Sequence, residues 1–299
     1  MRRNACKALT SCDLDAVAAH EVIATWVSRL DDDEDQDVRC EACEALSRCG
    51  QRVANHAGAV DSIVAHLADV DFDLREYVLE AMGTFAAYIR DAHYHDIILP
   101  LLTDDDPSDR ETACKALLML GERGKPYAVA YAEDIWPLLE EWDHDFLIES
   151  VCEVVEKMLS DSDSVTPARV RAVADLLSYD DGYLGWDVRF QALCTLQAFG
   201  KHHMSQDIVD AIVACMEHDA QSSFTNVWNG TEWKRSSILH DYSGVRRQAC
   251  VTLSSLGEGW RVPASVANEV LSSVRSKESE RAAAQQVLRA HEEAQTESR

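Results

Sequence analysis

Proline, glycine and long apolar runs are scarce in this chain. Its 299 residues include 6 prolines and 12 glycines while 46% are hydrophobic, which excludes a disordered chain and supplies material for a large core. There is no apolar run of the roughly 18 residues that a membrane-spanning helix requires. Arg2 and Arg3 are not followed by the apolar segment of a secretion signal. We therefore expect a cytoplasmic protein in a reducing compartment.

Positive charge is also scarce. Lysine and arginine number 28 against 53 acidic residues, which leaves a formal net charge of -25. Such a chain repels nucleic acids and anionic membranes, so neither is expected as its partner. A basic protein partner fits this charge. An adaptation to high salt also fits it, because only 7 of the basic residues are lysines.

A pattern of similar length recurs along the chain, and its copies align on one anchor position. The anchor is arginine in seven copies and isoleucine in one degenerate copy. The anchors are Arg2, Arg39, Arg75, Arg110, Ile148, Arg189, Arg246 and Arg281. Successive anchors are 37, 36, 35, 38, 41, 57 and 35 residues apart. Such a period over a whole chain is typical of a solenoid built from stacked units.

Equivalent positions after each anchor carry the same kinds of side chain. The third position is alanine or valine and the seventh is leucine, methionine or valine, a spacing that places both on one helix face. Glycine, which ends helices, occupies the eleventh position in four copies. These glycines are Gly50, Gly121, Gly200 and Gly257. The pattern therefore predicts one amphipathic helix, here called helix A, in each copy.

Cysteine occupies the fourth position after the anchor in half of its ten occurrences. These residues are Cys6, Cys43, Cys114, Cys152 and Cys250. Disulfide scaffolds are small and dense in cysteine, whereas these thiols are spread through a long chain. A position next to the small third residue suits close helix packing. We therefore predict that these thiols are buried and reduced.

A second helical pattern, helix B, lies between successive anchors. Its copies are 59–70, 95–106, 132–143, 168–179, 206–217 and 264–275. No segment of comparable length alternates with period two, so the pattern predicts no sheet. The predicted fold is all-α: a right-handed α–α superhelix of about seven helix pairs with a C-terminal capping helix. It forms a single domain over 1–299, with an insertion at 219–244 and a cap and tail at 276–299.

The repeat unit resembles the HEAT repeat. The resemblance rests on the D-x-V-R starts at 37–39 and 187–189, on the A-x-x-x-L core and on the terminal glycine. It also rests on the I-x-P-L-L pattern of helix B at 98–102 and 135–139. The resemblance implies that anchor arginines pair with aspartates at the repeat junctions. For Arg39, Arg75 and Arg110 this would form a ladder. The HEAT fold serves many roles, so it leaves function open.

Metal chemistry finds little support in the sequence. Asp69, Asp71, Asp73 and Glu80 match four positions of a calcium loop, but Leu74 stands where its turn requires glycine. The pair Cys40 and Cys43 has no second pair at zinc spacing. We therefore predict no metal site and no cofactor. Weak binding of divalent cations by the acidic stretch 31–37 is left open.

Two enzyme families with HEAT-like repeats provide a further test. Deoxyhypusine hydroxylase binds iron through four equivalent His-Glu pairs, whereas this chain has only His20-Glu21 and His291-Glu292, at non-equivalent positions. That assignment is rejected. Phycobilin lyases have shorter repeats and no residues that carry over, yet a lyase-type enzyme or enzyme accessory stays open as the alternative function. Nucleophile and phosphate-loop motifs do not occur.

The sequence favours a non-catalytic protein-binding scaffold or adaptor for a basic partner. The 57-residue spacing contains an insertion with aromatic and basic residues, which is either an interaction loop or a structural plug. Acidic turns recur one repeat apart and offer a second contact surface. The predicted contacts in the insertion are Phe224, Trp228, Trp233, Lys234 and Arg235. Those in the turns are Asp31, Asp33, Asp35, Asp71, Asp104 and Asp106.

Overall fold

The computed structural model describes residues 20–179, 185–222, 225–228, 233–236 and 243–256, with single positions at 260, 262 and 266. The chain divides into two compact units, Met1–Ile135 and Trp136–Arg299. One continuous repeat array over 1–299 stays a prediction. The first helix A, helix B at 264–275 and the cap at 276–299 lie outside the described residues, apart from single position 266.

Unit 1 consists of helices joined by short turns. Its α-helices are α1 (His20–Asp32), α2 (Gln36–Cys49), α3 (Gln51–Ala54), α4 (Ala59–Ala65), α5 (Phe72–Phe85), α6 (Asp91–His93), α7 (Leu99–Leu102), α8 (Pro107–Met119), α9 (Lys125–Ala130) and α10 (Ala132–Ile135). Its 3-10 turns are His66–Ala68, Ala86–Tyr88 and Gly121–Arg123, and a π-helical turn, Tyr94–Ile98, joins α6 to α7.

Unit 2 repeats this organisation and adds two strands. Its elements are α11 (Asp145–Val154), α12 (Pro167–Asp175), α13 (Gly185–Phe199), α14 (Gln206–Ser222), β1 (Thr225–Trp228), β2 (Trp233–Ser236) and α15 (Ser243–Ser255). Its 3-10 segments are Trp136–Glu140, Leu176–Ser178 and Lys201–His203, and a π-helical turn follows α11 at Val155–Leu159.

Proline accounts for two changes of helix type. Pro100 follows the π-helical turn of unit 1, and Pro137 lies in the first 3-10 segment of unit 2. Proline lacks an N–H group and its ring clashes with the carbonyl four residues earlier. Regular α-helical hydrogen bonding is therefore interrupted at the proline of the I-x-P-L-L pattern.

The core confirms the predicted columns. The third-position residues are fully buried in every described copy: Ala42, Val78, Ala113, Val151, Ala192 and Ala249. The seventh-position residues are buried as well: Leu46, Met82, Leu117, Val155, Leu196 and Leu253. The helix ends also agree, since Gly50, Gly121 and Gly200 have φ of 53, 54 and 69°, a left-handed backbone that glycine adopts readily.

Consecutive A helices of unit 2 are joined by repeated side-chain hydrogen bonds. Thr195 and Thr252 both stand six residues after an anchor and are buried. Thr195 Oγ1 shares its proton between the carbonyl of Cys152 at 3.0 Å and that of Gln191 in its own helix at 2.9 Å, and Thr252 Oγ1 donates to the carbonyl of Leu193 at 3.1 Å. Each acceptor on the preceding A helix is the fourth residue after the anchor of that helix. The repeat therefore preserves a polar contact as well as an apolar column.

The insertion departs from the purely helical prediction. β1 and β2 pair antiparallel, with Thr225 opposite Ser236 and Trp228 opposite Trp233. The strands have only four residues each, so no long alternating pattern marks them in the sequence. The local signal is the Asn229-Gly230 dipeptide between them, because Asn-Gly favours tight β-hairpin turns.

Candidate partner-binding surface

The acidic turns of unit 1 share one local geometry. Asp33, Asp69 and Asp104 each accept the backbone N–H of the residue two positions on, at 3.1, 3.0 and 2.9 Å. The second aspartate of two of these turns caps the following helix. Asp71 accepts the N–H of Leu74, and Asp106 accepts that of Ser108. These carboxylates stabilise the repeat junctions, as residues at helix N-termini commonly do.

Two of the anchor arginines form the expected ladder. Arg39 donates to Asp69 of the next junction at 2.8 Å and lies 3.6 Å from Asp71. Arg75 pairs in the same way with Asp109. Burial opposes ionisation of Asp69, yet hydrogen bonds from the Asp71 backbone, His66 and Arg39 hold its pKa below the usual value. Junction aspartates therefore act as charged partners of the neighbouring repeat.

Two other anchor arginines, Arg110 and Arg189, donate to backbone carbonyls. Arg110 donates to the carbonyl of Asp104 in its own turn at 2.5 Å, and buried Arg189 donates to that of Tyr179 at 2.6 Å. The pairing of Arg110 with a junction aspartate stays a prediction. A carbonyl in the same junction fixes the turn that precedes helix A without requiring the next repeat.

Most of the turn residues predicted to bind a partner already have acceptor roles inside the chain. Asp31 accepts from Ser62 at 2.6 Å and lies 3.1 Å from His66, and Asp33 is buried. Asp71, Asp104 and Asp106 hold the turns described above. Among these predicted residues Asp31, Asp35, Asp104 and Asp106 have exposed side chains. Their contact with a partner stays a prediction.

The predicted contacts of the insertion fall in and around the hairpin. Trp228 ends β1 and is paired with Trp233, while Lys234 and Arg235 follow in β2 opposite Val227 and Asn226. Phe224 lies outside the described residues. The hairpin therefore brings four of the five predicted positions into one two-stranded ladder.

An acidic groove lies between α2 and α5, the A helices of two consecutive repeats. Its cavity volume is about 380 Å³. No lysine or arginine occurs among its lining residues, which all lie in the described part of the chain. They are Asp37, Cys40, Glu41, Asp73, Glu76, Tyr77 and Glu80. Five carboxylates around one concavity create a site for positively charged groups.

The other two lining residues, Cys40 and Tyr77, both have raised pKa values. Burial, together with the negative charges of Asp71 and Asp73, raises the pKa of the Cys40 thiol to about 11. Burial also raises the pKa of Tyr77, with Glu44 as the next contribution. Both groups are therefore neutral near pH 7, and the charge of the groove comes from its carboxylates.

The acidic groove is not among the contacts predicted from the sequence, which lie in the acidic turns and in the insertion. The repeat alignment contains the signal, since Asp37 and Asp73 both stand two residues before an anchor. Glu41 and Glu76 follow one or two residues after the anchor, and Glu80 stands five after it. Asp37, Asp73, Glu76 and Glu80 are exposed, whereas Glu41 is buried.

A second concavity of about 380 Å³ lies within unit 2. Its apolar lining comes from Ala174, Leu177, Ala211 and Ala214, and aromatic side chains are absent from the lining residues that the structure describes. Within the described ranges, no group of three or more histidine, cysteine, aspartate or glutamate residues could hold a metal ion. None of the described helices combines the length and apolar character needed to cross a bilayer.

Comparison with known proteins identifies similar structures but no related sequence. No protein-family model matches the chain, and no curated protein matches it. Kap121p, in its crystal structure bound to Pho4p, aligns with 79% of this chain at 15% identity and a TM-score of 0.52. A structure from work on a phosphorylation switch that controls the interaction between cadherin and beta-catenin aligns with 98% of this chain. The identity is 16% and the TM-score is 0.52.

The likeness is one of fold. This chain spans 25% of the Kap121p chain and 60% of the chain from the cadherin and beta-catenin work. Structural neighbours of this kind are karyopherin and armadillo-repeat proteins. The chain is therefore an α-solenoid of the HEAT/armadillo type, which confirms the fold class predicted from the repeat.

Proposed function

We propose that this chain is a non-catalytic scaffold that binds a basic protein partner through the acidic groove. The observation that carries the proposal is a lining of five carboxylates with no basic residue among the described positions. Guanidinium and ammonium groups are the natural ligands of such a lining, because charge-assisted hydrogen bonds to carboxylates are short and strong. Tyr77 adds an aromatic surface, against which a cation is also stabilised.

The character of the acidic groove favours a scaffold over the lyase-type alternative. A site that holds an organic cofactor is usually apolar and aromatic, with few polar groups. The acidic groove has the opposite composition, and the concavity of unit 2 lacks aromatic lining among its described residues. A reducing compartment also belongs to the proposal, supported by the burial of most of the described cysteines.

Binding of a fluorescent lysine–serine peptide tests the proposal. The double variant Glu76→Gln/Glu80→Gln removes two exposed charges of the acidic groove. A matched control, Glu122→Gln/Glu133→Gln, removes two exposed charges elsewhere in unit 1. We expect the groove variant to weaken binding about tenfold and to flatten its salt dependence, since screening acts over roughly 8 Å. Equal losses in both variants would mean that only the overall charge attracts the peptide, and the proposal would fail.

A further inference from the structure

Large apolar side chains are exposed along one edge of unit 2. Trp142 is 42% exposed, Phe146 57% and Phe190 39%. These three residues, the aromatic edge, are all the large hydrophobic residues exposed in the described part of unit 2. Each ring keeps a large part of its apolar surface in water, and covering that surface would be favourable. Exposed apolar residues that lie on neighbouring elements are typical of a surface that contacts another molecule.

The aromatic edge is held in place by the junctions of two consecutive repeats. Tyr179 is buried, and its hydroxyl donates to the carbonyl of Trp142 at 2.5 Å and to the carboxylate of Asp145. The rings of Trp142 and Tyr179 are 5.8 Å apart. Phe146 stands in the first turn of α11. A rigid aromatic side chain loses little conformational freedom on binding, which is why such residues dominate interface energies.

The third ring belongs to the neighbouring A helix. Phe190 lies on α13, which packs directly against α11. Phe146 stands two residues before its anchor position and Phe190 one residue after its own. Three residues correspond to about 4.5 Å along a helix, so the two rings occupy nearly the same level of the stack. The aromatic edge therefore includes residues from two A helices that pack against each other.

The charge of the residues around the aromatic edge indicates which kind of molecule binds there. Residues 136–156 contain no lysine or arginine. They contain seven acidic residues: Glu140, Glu141, Asp143, Asp145, Glu149, Glu153 and Glu156. Glu153 pairs with Lys157, which follows this stretch, and Asp145 accepts a hydrogen bond from Tyr179. The guanidinium of Arg189, beside Phe190, is buried against the carbonyl of Tyr179. A second copy of this chain or an anionic membrane would place like charges together at this edge.

We propose that the aromatic edge docks a basic amphipathic segment of a partner protein, whose apolar side chains cover Trp142, Phe146 and Phe190. Its flanking lysine or arginine residues meet the exposed carboxylates of Glu140 and Asp143, in the turn before α11. The inference rests on the proposed function in taking a basic partner. It adds a second contact surface, in unit 2, which recognises apolar side chains and which the acidic groove does not supply.

Two peptides of equal charge test the inference on the full chain. One alternates lysine with leucine and the other lysine with serine, and fluorescence anisotropy measures their dissociation constants. We expect the dissociation constant of the leucine peptide to be about tenfold lower than that of the serine peptide, because burial of one leucine supplies a gain of this size. Phe146→Ser and Phe190→Ser should each reduce this preference several-fold while leaving serine-peptide affinity unchanged. Met119→Ser, at an exposed methionine of unit 1, is the matched control and should retain the preference.

The outcomes separate the inference from the proposed function. If Phe146→Ser and Phe190→Ser retain the full leucine preference, the inference is overturned, while groove-dependent binding of the serine peptide would still support the scaffold. If groove variants bind the serine peptide normally but the leucine preference depends on Phe146, the inference stands without the acidic groove. Sedimentation equilibrium tests whether a second copy of the chain occupies the aromatic edge. Concentration-dependent dimers that Phe146→Ser abolishes would show that it does, and the inference would be overturned.

Discussion

The hydroxyl of Thr195 donates a 3.0 Å hydrogen bond to the carbonyl oxygen of Cys152 on the preceding A helix. Thr252 repeats the same contact with Leu193 one repeat later. Valine has nearly the shape of threonine but lacks the hydroxyl. We expect Thr195→Val and Thr252→Val each to lower the free energy of unfolding by about 0.5–1.5 kcal/mol. Urea denaturation measures this change, and Thr25→Val, at an exposed site in α1, should have almost no effect.

The buried leucine column provides a second prediction. Leu117 is fully buried in α8, whereas Met119 two residues on is 43% exposed. Leu117→Ala should destabilise the protein by about 2–5 kcal/mol, because it removes buried methyl groups and leaves a cavity. Met119→Ala should cost much less, because its side chain is largely in water. Similar losses for the two variants in chemical denaturation would contradict the helix A register.

The lowered pKa of Asp69 predicts that the free energy of unfolding decreases in acid. Its pKa in the folded protein is lowered below the ordinary value of 3.8, so its stabilising effect is complete above about pH 4 and is lost as pH falls further. Asp69→Asn should therefore destabilise by about 1.5–3 kcal/mol at pH 7, as expected for hydrogen bonds to a charged group. The difference from the unmodified protein should shrink below pH 4.

The control for Asp69 is Asp105→Asn. It makes the same change of charge at an exposed side chain of the next junction. Its effect on the free energy of unfolding should stay within about 0.5 kcal/mol from pH 7 to pH 3. If the Asp69→Asn difference persists unchanged at pH 3, protonation of Asp69 is not what weakens the junction in acid.

The repeat could be predicted because apolar residues and glycines recur at fixed positions after each anchor. Helix B was expected at 59–70 and is found as α4 followed by the turn His66–Ala68. The short helices α3 and α9 were not predicted, because four and six residues carry too little periodicity to be recognised. The acidic groove was missed for a different reason. Whether a carboxylate faces solvent or caps a helix is not marked by residue type, as exposed Glu76 and the helix cap Asp71 illustrate.

The cysteine column predicts slow thiol chemistry. Burial raises the pKa values of Cys43 and Cys152 beyond their ordinary range, and that of Cys114 to about 12. Only the thiolate reacts, so these residues should be modified by a maleimide or disulfide reagent at pH 8 only as fast as the protein unfolds. Cys194 is partly exposed and should react first among the described cysteines. Mass spectrometry of the labelled chain measures the order. Rapid labelling of Cys114 would contradict the assigned register.

The insertion supplies the last prediction, because its hairpin places Trp228 opposite Trp233. Threonine suits a strand, so Trp228→Thr and Trp233→Thr remove the rings without opposing the β1–β2 ladder. If the insertion is an interaction loop, the melting temperature should stay within about 2 °C, since surface substitutions cost little. Dissociation from the native partner, followed by surface plasmon resonance, should become faster at a nearly constant association rate, because aromatic anchors act by short-range burial. Unchanged binding together with a melting temperature several degrees lower would instead assign the hairpin to the packing of unit 2. The partner contacts would then lie on the helical repeats alone.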